Sequence, residues 1–194
     1  MLPNAPLSSG TAEPPQVKFM VTQVYHSPDI YSIPVVLPNN ALRNLNCYVI
    51  KTPQRNLVID TGFNCPECRE ALLAGLEELA LDMSLTDLFV SHLHSDHTGL
   101  AEWFAQQGCT IYMNPVDYNY FCKIQRDEVW PEIENVFVSE GFPAEELQLQ
   151  LTGNQGRFYS PDGIFPIKPV TDGQMLTLGE LKLQCVEVPG HTPG

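Results

Sequence analysis

A chain of 194 residues with 43% apolar content is long enough for one domain with a substantial core, and too apolar to be disordered throughout. Its formal net charge of −13 argues against nucleic acid, whose phosphates need a basic face, and against an anionic membrane surface. No apolar run approaches the roughly 20 residues that span a bilayer, so no membrane span is expected.

Residues 1–16 are rich in Pro, Ser and Ala and lack the basic segment and apolar stretch of a secretory signal. They are expected to form a disordered leader, with the cytoplasm as the compartment and residues 17–194 as the folded domain. Residues 17–25 alternate as a first strand does, whereas residues 27–44, broken by Pro28, Pro34 and Pro38, are expected to be loop. Residues 46–51 and 56–60 form a hairpin around Thr52-Pro53-Gln54-Arg55, and Thr61-Gly62 ends its second strand sharply. Residues 67–81 have helical spacing, with Leu72, Leu73, Leu76 and Leu79 on one face and Glu70, Glu77 and Glu78 on the other.

A short buried strand is expected over residues 88–90, a helix over 98–107 closed by Gly108, and a strand over 110–113. Residues 115–151 change character. They predict two or three helices, interrupted at Pro131 and at Gly141-Phe142-Pro143, and carry Tyr118, Tyr120, Phe121, Trp130 and Phe137. Residues 153–161 are expected to be loop, and residues 164–170, 174–177 and 181–188 strands. Hairpin strands, then strand–helix alternation, then strands again make a mixed α/β sandwich.

Six cysteines at irregular spacing do not form a disulfide framework in a chain of this size. Cys65-Pro66-Glu67-Cys68 has no second C-x-x-C to complete a structural zinc site, and its plainer reading is a loop and helix start.

The concentrated chemistry is His92-x-His94-x-Asp96-His97, which holds three of the five histidines within six residues, directly after the apolar run Leu88-Phe89-Val90. Imidazole and carboxylate are the usual ligands of zinc and other first-row ions. Alternate residues point in different directions, so His92 and His94 suit one ion, and Asp96 and His97 a second. His191, in Pro189-Gly190-His191-Thr192-Pro193-Gly194, can complete a three-histidine set on the first. Three protein ligands leave zinc an open position for water.

With these motifs the chain resembles the metallo-β-lactamase fold superfamily, whose signature is H-x-H-x-D-H after a buried strand. Leu57-Val58-Ile59-Asp60-Thr61-Gly62 is similar to the family's early Asp motif, Asn46-Cys47-Tyr48-Val49-Ile50 to its second-strand segment, and Pro189 to Gly194 to its later histidine motif. The resemblance implies an αββα sandwich with a helical insert at about residues 115–151. It places His92, His94 and His191 on a first metal, Asp96 and His97 on a second, and Asp60 behind them as a group that orients the site. Asp96 has a further implied duty in proton transfer. The family's later bridging Asp and final His have no counterpart before Gly194, so the sandwich is expected to be incomplete, C-terminally truncated, with part of the second metal site missing.

The implied activity is hydrolysis of a small ester, thioester or lactone, in the glyoxalase II-like or lactonase-like group, with one or two zinc ions; iron and manganese are the other candidate metals. The insert's aromatics either line an acyl pocket or pack the insert against the sandwich. Two other classes stay open: a mono-iron oxygenase similar to persulfide dioxygenases, and a non-catalytic metal-binding module. A sheet face or edge left uncovered would favour a homo-oligomer.

Overall fold

Seven strands lie in sequence order across one sheet of the computed structural model, which describes residues 20–194. They are β1 (Thr22–His26), β2 (Asp29–Val36), β3 (Asn44–Lys51), β4 (Asn56–Ile59), β5 (Thr86–Phe89), β6 (Ile111–Met113) and β7 (Lys168–Pro169). From β1 to β4 neighbours are antiparallel; from β4 to β7 they are parallel. The change comes where a helix first enters as a crossover, as parallel pairing requires. A separate antiparallel hairpin, β8 (Met175–Leu178) and β9 (Leu181–Gln184), forms the second sheet.

That crossover is α1 (Pro66–Glu78), with Pro66 in its first turn and Cys68, Leu72, Gly75 and Leu76 on its buried face. Gly75 lets the helix settle on β2, since a Cβ there would lie 2.5 Å from Ile33 Cγ2. Alternation along the strands divides the core between the two faces of the sheet. Cys47, Val49, Val58, Leu88 and Val90 point to the main core, while Ile50 and Leu57 meet Leu178 of the hairpin on the other side. The described residues thus supply a helical layer, the large sheet and a first piece of the facing sheet. Among them, no helix is long and apolar enough to cross a membrane.

The expected hairpin and the helix after it form as the pattern predicts. Residues 1–16 and the first residues of the expected opening strand lie outside the described residues. Residues 27–44, expected to be loop, instead contain β2, eight residues long and paired to β3 from Asp29↔Lys51 to Val36↔Asn44. Pro34 is tolerated because β1 pairing ends at Thr22↔Ser32, leaving β2 an edge on that side. The expected strand over 164–170 shrinks to Lys168–Pro169: Pro166 has no N–H to give a ladder, and the Phe165 carbonyl accepts from Tyr118 Oη at 2.5 Å.

Three helices fill the insert: α4 (Pro115–Gln125), α5 (Trp130–Ser139) and α6 (Ala144–Thr152). A short α7 (Gln155–Phe158) follows where loop was expected, capped by the Asn154 side chain on Arg157 N–H. Between β5 and β6 the chain makes α2 (Ser95–Thr98) and α3 (Ala101–Gln106).

Candidate metal centre

The ends of the parallel strands gather the candidate residues. Asp60 follows β4, the histidine motif follows β5, and Asn114 to Asp117 follow β6. His92 lies in the bend after β5, and His94, in extended conformation, is the residue from which α2 starts, so Asp96 and His97 fall on the helix. Thr61 fixes the far side of this loop: wholly buried, its hydroxyl donates to the His97 carbonyl at 2.9 Å and accepts from Leu100 N–H at 3.1 Å. Gly62 N–H donates to the Asp96 carbonyl at 2.8 Å. Gly99 makes the approach possible, because a Cβ there would lie 2.4 Å from both Asn64 N and Gly62 O.

His92, His94 and His191 come together from two distant segments. Each offers one ring nitrogen, and the three lie within 4.8 Å of one another. His92 Nε2 faces His94 Nδ1 at 3.0 Å, and the His191 ring centre is 4.6 Å from that of His94 and 5.0 Å from that of His92. Asp96 and His97 stand beside this trio, with Asp96 Oδ2 3.5 Å from His97 Nε2.

Asp60 and Ser91 decide which ring nitrogens carry protons. Asp60, 7% exposed, accepts Ser91 N–H on Oδ1 at 2.8 Å, and accepts the Ser91 hydroxyl on Oδ2 at 2.9 Å. The hydroxyl's one proton is thereby committed, so Ser91 Oγ accepts from His92 Nδ1 at 3.0 Å. His97 Nδ1 donates to Asp60 Oδ2 at 2.9 Å. Both rings therefore hold the proton on Nδ1 and leave a lone pair on Nε2, the orientation that outer partners impose on ligating histidines. Ser91 was visible in the sequence only as the residue before the motif; its hydroxyl turns out to link Asp60 to His92.

The environment lowers His92 and His94 and treats His97 differently. Burial, with the facing imidazoles of His97 and His94, pushes His92 down to about 4. Burial and the His191 ring also lower His94. Burial pushes His97 down too, but the Asp60 hydrogen bond and the charges of Asp60 and Asp96 outweigh it, and the net direction is up. Three imidazoles converging on one point fit the donor set of zinc and similar divalent ions.

Asp117 carries no mark in the sequence beyond its place in the first turn of a helix, where an acidic residue is ordinary. In the structure it is wholly buried and accepts Leu93 N–H at 3.0 Å and Gly194 N–H at 2.9 Å. The C-x-x-C pair and part of the aromatic set resolve toward packing, whereas Tyr120 and Phe137 are exposed. Cys65 and Cys68 are buried at the start of α1, and Cys68 Sγ–H donates to the Val36 carbonyl at 2.8 Å. Tyr118 and Phe121 pack with Phe165, while Lys123 and Arg126 are exposed.

Residues 41–194 match the sequence profile of the family described as "Metallo-beta-lactamase superfamily". The chain belongs to that superfamily. A metallo-beta-lactamase family protein from Thermus thermophilus superposes with a TM-score of 0.69 and 26% identity, over 85% of this chain and 53% of that one. A beta-lactamase domain protein from Burkholderia ambifaria gives the same TM-score of 0.69 at 18% identity, over 95% of this chain and 53% of its own, a likeness of fold. Among curated superfamily relatives, the chain is 27% identical to hydroxyacylglutathione hydrolase of Haemophilus influenzae, over 82% of this chain and 62% of the relative. It is 34% identical to atrochrysone carboxyl ACP thioesterase of Emericella nidulans over 88 residues, 42% of this chain and 28% of the relative. The chain thus spans about half the length of these solved structures and 28% to 62% of these curated proteins.

Proposed function

We propose that the protein is a metal-dependent hydrolase that cleaves a small thioester. The observation that carries this reading is the convergence of His92, His94 and His191, whose ring nitrogens lie within 4.8 Å, in a chain similar to two proteins named for thioester hydrolysis. His92, His94 and His191 would hold a first ion, zinc by their chemistry, and Asp96 and His97 would contribute to a second. When bound, such ions supply Lewis-acid polarisation of a carbonyl and activation of water near neutral pH.

The chain's own residues do the positioning. Asp60 and Ser91 keep His92 and His97 in the tautomer whose Nε2 is free. Hydrolysis adds the water oxygen to the acyl carbon, breaks the carbon–sulfur bond and returns a proton to the departing sulfur. Asp96, whose carboxylate sits at the edge of the imidazole cluster, is the residue we assign to carry that proton. Thioesters rank above esters and lactones because both named relatives suggest an acyl–sulfur substrate. The cytoplasm belongs to this reading as well, since six unpaired cysteines suit a reducing compartment.

The test is His94→Ala in the protein purified with its native metal. Loss of metal and of thioester hydrolysis together is the expected result. Hydrolysis that survives would refute the assignment. Iron in the wild-type protein, with oxygen consumed during turnover, would replace the hydrolase with the mono-iron oxygenase.

A further inference from the structure

We infer that Asp117 is the positioning residue that sets the gap between the two chain segments carrying the three imidazoles. The inference rests on the proposed role of His92, His94 and His191, and it concerns a residue on a third element, α4, which supplies none of them. Asp60 and Ser91 act on ring nitrogens directly. Asp117 acts through backbone.

Its Oδ2 accepts the N–H of Leu93, the residue between His92 and His94, at 3.0 Å. Its Oδ1 accepts the N–H of Gly194, three residues beyond His191, at 2.9 Å. One rigid, wholly buried carboxylate therefore spans the two loops, and neither can withdraw without leaving an acceptor unpaired away from water. Among the hydrogen bonds of the described residues, none joins Asp117 to any of the three rings.

The second loop is stiff enough to transmit the constraint. Gly190 N–H donates to the Thr192 carbonyl at 3.0 Å, and the Thr192 hydroxyl donates to the Gly194 carbonyl at 3.3 Å, so His191 lies inside a closed turn. Gly194 in turn lies against the start of α4, where a Cβ would be 2.6 Å from Asn114 Oδ1 and 3.1 Å from Asp117 N. Asn114 cannot swing aside freely, because the same oxygen accepts Val116 N–H at 2.7 Å as the helix cap. The first turn of α4 thus serves as a gauge block: its cap seats one loop and its carboxylate ties that loop to the other.

The experiment compares wild type, Asp117→Ala and Asp117→Asn, each stripped of metal. Zinc affinity is read by competition with a chromophoric chelator, the visible spectrum is recorded with cobalt(II) in place of zinc, and the melting temperature is taken without metal. Removing such a supporting partner weakens metal binding about 10- to 100-fold, the loss expected for Asp117→Ala together with an altered cobalt spectrum. Asp117→Asn keeps one acceptor but turns an amide N–H toward Leu93 or Gly194 N–H, so its affinity and spectrum should move in the same direction. If Asp117→Ala does not fold, Asp117→Asn alone decides. Variants that melt lower yet keep wild-type zinc affinity and cobalt spectrum would show a purely structural role and overturn the inference. A wild-type protein that takes up no zinc would refute the triad itself, and the inference with it.

Discussion

Asp60→Asn removes one charge from the site and nothing else of its shape. Asp60 has φ +64°, a conformation that Asn tolerates as Asp does, so the backbone is not strained by the change. The carboxylate accepts three hydrogen bonds: Ser91 N–H at 2.8 Å, the Ser91 hydroxyl at 2.9 Å and His97 Nδ1 at 2.9 Å. An amide keeps one acceptor for Ser91 N–H and presents N–H to the other two. Each bond to a charged acceptor contributes about 1.5–3 kcal/mol, but the Ser91 hydroxyl can rotate and His97 can change tautomer, so the net loss is about 1–3 kcal/mol. For a domain of this size that lowers the melting temperature by roughly 3–10 °C.

The variant's signature is more specific than its stability. His97 is forced to accept at Nδ1 and moves its proton to Nε2, the nitrogen facing Asp96. Its raised pKa also loses its main cause, leaving burial to push it down. A histidine raised on folding contributes stability that is full below its unfolded value of about 6.5 and is lost as pH rises through the folded value. The gap between wild type and variant should therefore be wider at about pH 6 than at about pH 8.5. Urea unfolding of the metal-free proteins at both pH values, with nitrogen-15 NMR of the His97 ring, reads both effects. Equal gaps at the two pH values, or an unchanged Nδ1–H tautomer in the variant, would refute the reasoning.

Two further outcomes follow from the same geometry. Three ordinary imidazoles lose roughly 60-fold in combined metal affinity from pH 8 to pH 6 by proton competition. With His92 held down to about 4 and His94 lowered as well, the trio should lose far less, and a chelator competition showing the full loss would count against the site. Gly99→Ala forces a Cβ to within 2.4 Å of two backbone atoms of residues 62 and 64. Overpacking of about 1–3 kcal/mol or more should lower the melting temperature and the bound zinc together, as thermal scans with metal analysis will read; wild-type values for both would show that the two segments are not wedged.

The histidine motif was legible because imidazoles are scarce in this chain and their spacing alone places them on one loop. Asp60 was legible through its motif, since a strand ending in Asp-Thr-Gly is visible without any contact. Asp117 was not, because an acidic residue in a first helical turn has an ordinary explanation, and its real partners are backbone N–H groups 24 and 77 residues away. β2 was hidden for another reason. Pro28, Pro34 and Pro38 together suggest loop, and only the early end of β1 shows that Pro34 falls where no neighbour needs its N–H. The shortened β7 is the reverse case: apolar Ile164, Phe165 and Ile167 look like a strand, yet Pro166, without an N–H, interrupts the ladder before Lys168.

The parallel strands also separate two kinds of electrostatics. At their starting ends, Arg55 of the β3–β4 turn forms a bidentate pair with buried Asp87, at 2.5 and 2.6 Å, and neither residue faces the imidazoles. β4 and β5 are four residues long, about 13 Å of chain at 3.3 Å per residue, which exceeds the 7–10 Å over which substitutions usually couple. One rim of the sheet can therefore drift in sequence or be rebuilt for robustness while the opposite rim keeps its chemistry. Evolution and the protein engineer have two independent dials on a single scaffold.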